Sequence, residues 1–493
     1  MRMRGAAWIL AAAVVLLGCR AAPAVEMEDG PAYLTDSHGA QGVAMAMLEL
    51  AKDAPEYARY GKGALDWLIH VAERDDAGRL AWMMSTSAPK GHPSHRISVP
   101  GQCGIIRTFL DGYKASGDER YKAAALAGTR TLVERFARQK ETPLGTAWAW
   151  SHAYRPNDRS EGLLAGHSHG LGNILDSLLA AYEAGRDERL KEPMRGLLVN
   201  LRVRGKETTK DGRTLIAWPT LKNPKIVETG YCYGQAGLVL PLLRMAERAP
   251  EVRLSDGTTA LSLANANLRY LMSIARAKGD GTVWPYMRHD DVTRNPGLGS
   301  GTGGIGWAML RGAEVNRKTD PAFADACLTY ARGAAVYATD LVLSAQAKGP
   351  LRSPGGDAGF GVCGGAGGTG YLLMLYAEEL GDRDPALTRR MKKAIAKVAR
   401  TVIASAETLD DGTMVIPDRQ RFKRINLALD YGQTGVLLGL AMTGRYLEDD
   451  AIRAAARKVA DYIAKQAVPE GGGLKFAQFQ PLPEEGAPGE PGG

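Results

Sequence analysis

The sequence predicts an all-α protein: a closed (α/α)7 toroid of seven helical hairpins. Three observations predict it. A glycine-rich turn recurs seven times, its second small residue falling at Gly42, Gly104, Asn173, Gly237, Gly304, Gly368 and Gly435, 62 to 69 residues apart. Each turn opens a helix that reads as almost wholly apolar, with no charged face, as an enclosed inner layer requires. The helix that follows carries the Lys and Arg, as an outer layer should. An open array would need polar capping repeats, and none is visible. Glycine at each inner-helix start also permits the close backbone approach that a ring demands.

The units follow in order. The turns read "SHGAQGVAMAMLELA" from Ser37, "VPGQCGIIRTFLDGY" from Val99, "SHGLGNILDSLLAAYE" from Ser168 and "CYGQAGLVLPLLRMAE" from Cys232. Then come "GSGTGGIGWAMLRGAE" from Gly299, "CGGAGGTGYLLMLYAEE" from Cys363 and "DYGQTGVLLGLAMTG" from Asp430. Second helices begin behind Asp118, Asp187, Asp320 and Asp384, whose carboxylates can accept from first-turn N–H groups. Pro321 and Pro385 already have helical φ. "FADACLTYARGAAVYATDLVL" shows the three-to-four apolar spacing of such a helix. Extended loops holding Trp82, Trp148 and Trp150, Trp218 and Trp284 close several units. "DDGTMVIP", near the end, lacks the Trp.

The ends and the composition bound the rest. Arg2 and Arg4 precede an apolar run, Ala6 to Leu17, of signal-peptide length. Residues 1–24 therefore read as a signal peptide. "LLGC" ending at Cys19 resembles a lipobox, and "APA" ending at Ala24 resembles an ordinary cleavage site. The body, residues 25–480, reads as a single exported toroid under either cleavage, and the lipobox alternative would hold it to a membrane only through a lipid on Cys19. Residues 481–493, rich in Pro, Gly and Glu, read as a disordered tail. Four cysteines after Cys19 are too few for a disulfide scaffold. Cys327, on an outer helix, reads as a small buried apolar residue. The net charge of +8 is spread along the chain. Its densest part, "RRMKKAIAKVAR", has the spacing of a solvated outer face. No aromatic-basic motif points to nucleic acid. A monomer is expected.

Between Asp36 and Ala467 the motifs resemble the lanthionine synthetase C-like family. "GHSHG" matches its G-x-x-H-G, which puts His169 at the family's active-site histidine. "YCYGQAG" resembles W-C-Y-G-x-x-G, with Tyr231 in place of Trp. Cys232 then matches a zinc-ligand cysteine, and Tyr233 the tyrosine beside it. The family completes its zinc site with C-H-G in the next repeat. Here that repeat has Gly299-Ser300-Gly301, and the one after it has Cys363-Gly364-Gly365, which keeps the Cys and lacks the His. The resemblance thus implies a toroid with Zn2+ on Cys232, Cys363 and His169, acting on a peptide, with an incomplete ligand set that argues against cyclase chemistry.

Aligned by their turns, one position holds Ser37, Val99, Ser168, Cys232, Gly299, Cys363 and Asp430. The next holds His38, Pro100, His169, Tyr233, Ser300, Gly364 and Tyr431. Both rings sit at helix N-termini, whose positive potential would suit a polar or anionic ligand. His169, Tyr233, Asp430 and His38 are the catalytic candidates. Cys232, Cys363 and His169 are the metal candidates. A Cys232–Cys363 disulfide is a competing reading, and helix capping is the competing reading of Ser37, Ser168, His38 and His169. Histidine caps poorly, so His169 is expected in the mouth, with His167 a loop residue behind it. A second function class is carbohydrate processing. Asp290, Asp291, Asp357 and Asp430 would then act as carboxylates, and Trp148, Trp150 and Trp284 as sugar platforms. A third is a non-catalytic ring holding a peptide or polysaccharide.

Overall fold

The computed structural model describes residues 39–83, 97–151, 153–154, 165–168, 170–220, 223–285, 297–299, 301–344, 366–416, 425–429, 432–477 and 479–480. Residues 1–24, with Cys19, and residues 481–493 lie outside these. Among the described residues, fourteen α-helices form seven pairs. The inner members are α1 (Ala40–Leu50), α3 (Val99–Ser116), α5 (Leu171–Gly185), α7 (Gln235–Arg248), α9 (Thr302–Asn316), α11 (Ala366–Leu380) and α13 (Gln433–Leu447). The outer members are α2 (Ala58–His70), α4 (Glu119–Thr131), α6 (Lys191–Arg204), α8 (Ala260–Ile274), α10 (Pro321–Leu343), α12 (Pro385–Ala404) and α14 (Asp450–Lys465). Each inner helix packs on the next, and α13 packs on α1, so the array is a closed ring.

Side chains far apart in sequence lock the closure. Arg445 on α13 forks onto Asp53 at 2.6 and 2.9 Å and reaches Glu49 at 2.6 Å. The Tyr57 hydroxyl donates to Asp461 at 2.6 Å, and the Trp67 indole to Glu470 at 2.9 Å.

Helix starts follow the chemistry expected of them. Asp118, Asp187, Asp320 and Asp384 each accept a first-turn N–H at 2.9–3.1 Å. Asp187 opens a short 3-10 turn, Glu188–Leu190, that leads into α6. Lys392 and Lys393 on α12 face outward, and Cys327 is buried.

The Trp-bearing segments are antiparallel hairpins rather than loops. Among the described residues six follow outer helices: 73–81, 137–150, 206–217, 276–283, 407–415 and 468–475. Their tryptophans are structural. The indoles of Trp82, Trp150, Trp218 and Trp284 donate at 2.7–2.9 Å to the carbonyls of Leu68, Leu132, Leu201 and Leu271. These carbonyls lie at or just beyond the ends of outer helices, where intrahelical partners run out. Trp148, Trp150 and Trp284 are all buried, which overturns their reading as sugar platforms. A second device was not foreseen. Gln235, in the first turn of α7, grips both the N–H and the carbonyl of Trp218 at 2.9 Å. Gln433 does the same to Ile416, and Gln102 bonds Trp82 N–H and the Leu80 carbonyl.

At the inner-helix starts the backbone is too close for side chains. A Cβ on Gly237 would lie 1.9 Å from the Tyr231 carbonyl oxygen and 2.5 Å from the His167 nitrogen. Both neighbours are main chain and cannot step aside. Gly237→Ala should therefore destabilise the fold by about 2 kcal/mol or more, the cost of overpacking a rigid site. Gly370→Ala on α11 is the contrast, since nothing lies closer than 3.5 Å there. It should be neutral or gain up to about 1 kcal/mol of helix propensity. Urea unfolding midpoints of the two variants check this pair.

Candidate functional site

Three successive turns pair backbone to backbone at the glycine end of the bore. Residues 165–168 run beside 231–233: the N–H groups of Gly166, His167 and Ser168 donate to the carbonyls of Tyr233, Tyr231 and Cys232 at 2.9–3.0 Å. Cys232 N–H donates in turn to Gly299 at 2.8 Å. This ladder fixes the two residues that point into the bore. The His167 ring stacks on Tyr231 at 4.8 Å, and Tyr231 stacks on Trp307 at 5.6 Å.

Below the stack lies a buried charge network drawn from three inner helices. Asp176 on α5 takes Arg244 of α7 at 2.6 Å on one oxygen. Its other oxygen lies 3.4 Å from both Arg107 of α3 and His167 Nε2. Arg244 also holds Glu183 at 2.5 Å, and Arg107 reaches Ser177 Oγ at 3.3 Å. Burial opposes ionisation of Asp176, but Arg244, His167 and Arg107 outweigh it and hold the carboxyl well below the usual range. Burial pushes the Arg107 guanidinium down, with Asp176 opposing. Burial also pushes His167 down to about 4, against the pull of Asp176, so the ring is neutral at neutral pH. Tyr231 is pushed well up by burial and stays a phenol.

A carboxylate can only accept, so Nε2 carries the ring proton and Nδ1 is left as an acceptor. His167 is 1% exposed, and Nδ1 has no hydrogen-bond partner. It borders a cavity of about 560 Å³. His167, Asp176 and Tyr231 form the inner end, and Pro241, Trp307, Leu310 and Leu375 line the waist. Glu247, Arg248, Glu314, Arg317, Glu378 and Glu379 form the rim, where α7, α9 and α11 end. The cavity thus reaches solvent at the face opposite the glycine turns. Arg311 straddles the rim, 2.9 Å from Glu247 and also paired with Glu314.

This differs from the expected site in two ways. The residues bordering the cavity, His167 and Tyr231, stand one position ahead of the aligned Ser168/Cys232 ring and two ahead of His169/Tyr233. His167 is therefore not a mere loop residue. The ladder turns it inward. The inner helices also carry charge: Arg107, Asp176 and Arg244 are buried in what the sequence pattern presents as an apolar layer. The signal was present as one ionic residue in mid-run in "GIIRTFL", "NILDSLL" and "PLLRMA". Its meaning depended on which turns of which helices meet.

Of the residues singled out from sequence, His38, His169, Cys363 and Asp430 lie outside the described residues, as do Asp290, Asp291 and Asp357. Tyr233 is half-buried against the core, and Cys232 is buried on the ladder. Among the described residues no three His, Cys, Asp or Glu side chains gather as a metal site. No described helix is long and apolar enough to cross a membrane.

No protein-family model matches the sequence, and no curated protein matches it. Solved structures do. Nisin cyclase superposes with a TM-score of 0.50 at 13% identity, covering 89% of this chain and 95% of its own. The GH76A α-1,6-mannanase of Salegentibacter sp. gives 0.43 at 14% identity, covering 85% and 99%. A family 76 mannosidase of Bacteroides thetaiotaomicron gives 0.40 at 12%, covering 69% and 86%. The nisin cyclase likeness establishes a shared α/α-toroid architecture; identities this low carry no chemistry.

The buried imidazole makes stability depend on pH. Its folded value lies below its unfolded one, near 6.5, so protons favour the unfolded chain. The contribution is complete above pH 6.5 and is lost as pH falls toward 4. It amounts to on the order of 3 kcal/mol. His167→Leu should flatten the rise in unfolding free energy between pH 4 and 6.5, measured by denaturant titration at each pH.

Proposed function

We propose that the protein is an exported α/α toroid that binds a neutral saccharide in its central cavity. The observation that carries this reading is the inner end of that cavity. There a neutral imidazole offers an unpaired acceptor next to an aromatic surface, at the end of a cavity of about 560 Å³. Sugars present hydroxyl donors at their edges and C–H groups on their faces. Nδ1 of His167 suits the first, and Trp307, backed by Tyr231 and bordering the cavity, suits the second. Asp176 acts through His167: it holds the Nε2 proton and so keeps Nδ1 an acceptor. Arg244 and Arg107 keep Asp176 ionised for that task. With His167 titrating near 4, it is a weak base at neutral pH, which favours binding over proton transfer at this group. The rim, with Arg311 across it, is the ligand's way in. Export rests on the leader and the "LLGC" motif.

Calorimetric titration with neutral gluco- and manno-oligosaccharides tests this reading. A saccharide should bind saturably, and His167→Leu should weaken it about tenfold, near 1.4 kcal/mol. Trp307→Ala should weaken it further, through lost stacking. Saturable binding that His167→Leu leaves unchanged, or no binding across the panel, would sink the reading.

A second reading is zinc-dependent chemistry on a peptide, in the manner of the lanthionine synthetase C-like family. Cys232 favours it by standing beside Tyr231 on the ladder at the glycine end of the bore. Cys363 and His169 would complete the metal set, with Tyr233, His38 and Asp430 in the glycine-turn mouth. Metal analysis decides. One equivalent of zinc in the purified protein, absent from Cys232→Ala, would replace the saccharide reading with this one.

A further inference from the structure

Away from the bore, the hairpin Lys206–Ala217 stands on the outer wall. Its two-residue turn, Asp211-Gly212, has both φ angles positive, 51° and 71°, as a type I′ turn requires. That turn sets Lys210 directly across from Arg213. Like charges paired this way destabilise a hairpin. The hairpin's other acid, Glu207, is taken by Arg202 at 2.6 Å and offers no relief. Lys210 and Arg213 border a groove of about 460 Å³ between the hairpin, α8 and α10. Arg269 of α8 enters the same groove, its guanidinium held 4.6 Å over the Phe323 ring. Its Nε is buried without a hydrogen-bond partner. Two carboxylates share the groove, Asp211 and Asp320. The N-cap of α10 uses one oxygen of Asp320, which accepts from Phe323 N–H at 3.1 Å.

Three cations beside two carboxylates suit neither a bare anion nor a bare cation. They suit a molecule that carries both an acidic group and hydroxyls. The acidic group accepts from the guanidinium and ammonium N–H groups, and the hydroxyls donate to the carboxylates. The groove is also far larger than one oxyanion and is of the size that takes a small organic ligand. We propose that this groove is a binding site for an acidic sugar, a hydroxylated ring bearing one carboxylate or phosphate, held by Lys210, Arg213 and Arg269 with Asp211 and Asp320 reading its hydroxyls. The site is independent of the bore.

The test is calorimetry on the full chain with glucuronate, glucose 6-phosphate, glucose and inorganic phosphate. At least one acidic sugar should bind saturably, about tenfold or more tighter than either glucose or phosphate. Which of the two binds assigns the acidic group. Arg213→Gln and Arg269→Met should each weaken binding about tenfold. Lys278→Gln, an exposed cation on the next hairpin, and His167→Leu in the bore should leave it unchanged. Arg213 is exposed on a hairpin, so its variant keeps the fold, verified by an unchanged unfolding midpoint. The proposal is overturned if neither acidic sugar binds, or if phosphate alone binds as tightly. It is also overturned if Lys278→Gln costs as much as Arg213→Gln, or if His167→Leu abolishes the binding.

Discussion

Seven helices can meet around one axis only if their converging ends carry almost no side chain. The rest of the molecule depends on this constraint. It is visible at Gly237, whose missing Cβ leaves room for the Tyr231 carbonyl, and at Gly172, where a Cβ would lie 2.4 Å from the Gly237 carbonyl oxygen. That same carbonyl belongs to the turn that Pro241 leaves without its i→i−4 donor. The small residues bring three turns close enough to pair backbone to backbone. The pairing, in turn, leaves His167 and Tyr231 only one direction to point.

The bore then inherits a problem of charge. Arg107, Asp176 and Arg244 are buried where water cannot solvate them, which is costly unless the groups satisfy one another. Arg244 is well served, with short contacts to Asp176 and Glu183. Arg107 is not: it meets Asp176 only at 3.4 Å, and its Nε and Nη2 have no hydrogen-bond partner. Hydrophobic residues of the same volume would pack such a bore more cheaply. What the ionic set provides is a carboxylate that stays ionised beside an imidazole that stays neutral, and hence one acceptor of fixed tautomer at the inner end of the cavity.

The outer layer answers to a different demand. Outer helices end with carbonyls short of intrahelical partners, and in four units the hairpin segment folds back to supply an indole N–H there, from Trp82, Trp150, Trp218 and Trp284. The inner-helix glutamines tie the same hairpins to the ring. Tryptophan in these segments is thus consumed by the fold. Among the tryptophans, Trp307 is the one that borders the cavity of the bore, stacked on Tyr231.

The toroid was legible in the sequence because its signals are local and repeated. Glycine turns, Asp caps and apolar spacing each act within a few residues, and seven copies leave little ambiguity. The site was legible only in part. "GHSHG" and "YCYG" contain His167 and Tyr231, which border the described cavity, while His169, singled out from the sequence pattern, lies outside the described residues and Tyr233 is half-buried against the core. Which side chain faces inward depends on how the turn at 165–168 pairs with the turn at 231–233, across more than sixty residues of chain. The meeting of Arg107, Asp176 and Arg244 is likewise a property of three helices at one level of the ring. The sequence alone determined that seven hairpins would close around a bore. The tertiary structure decided which charges share that bore, and that the cavity opens at the end away from the glycines. The reason is physical: periodicity specifies the contacts each unit makes with itself and its neighbour, whereas a site is the sum of side chains that different units send to one point.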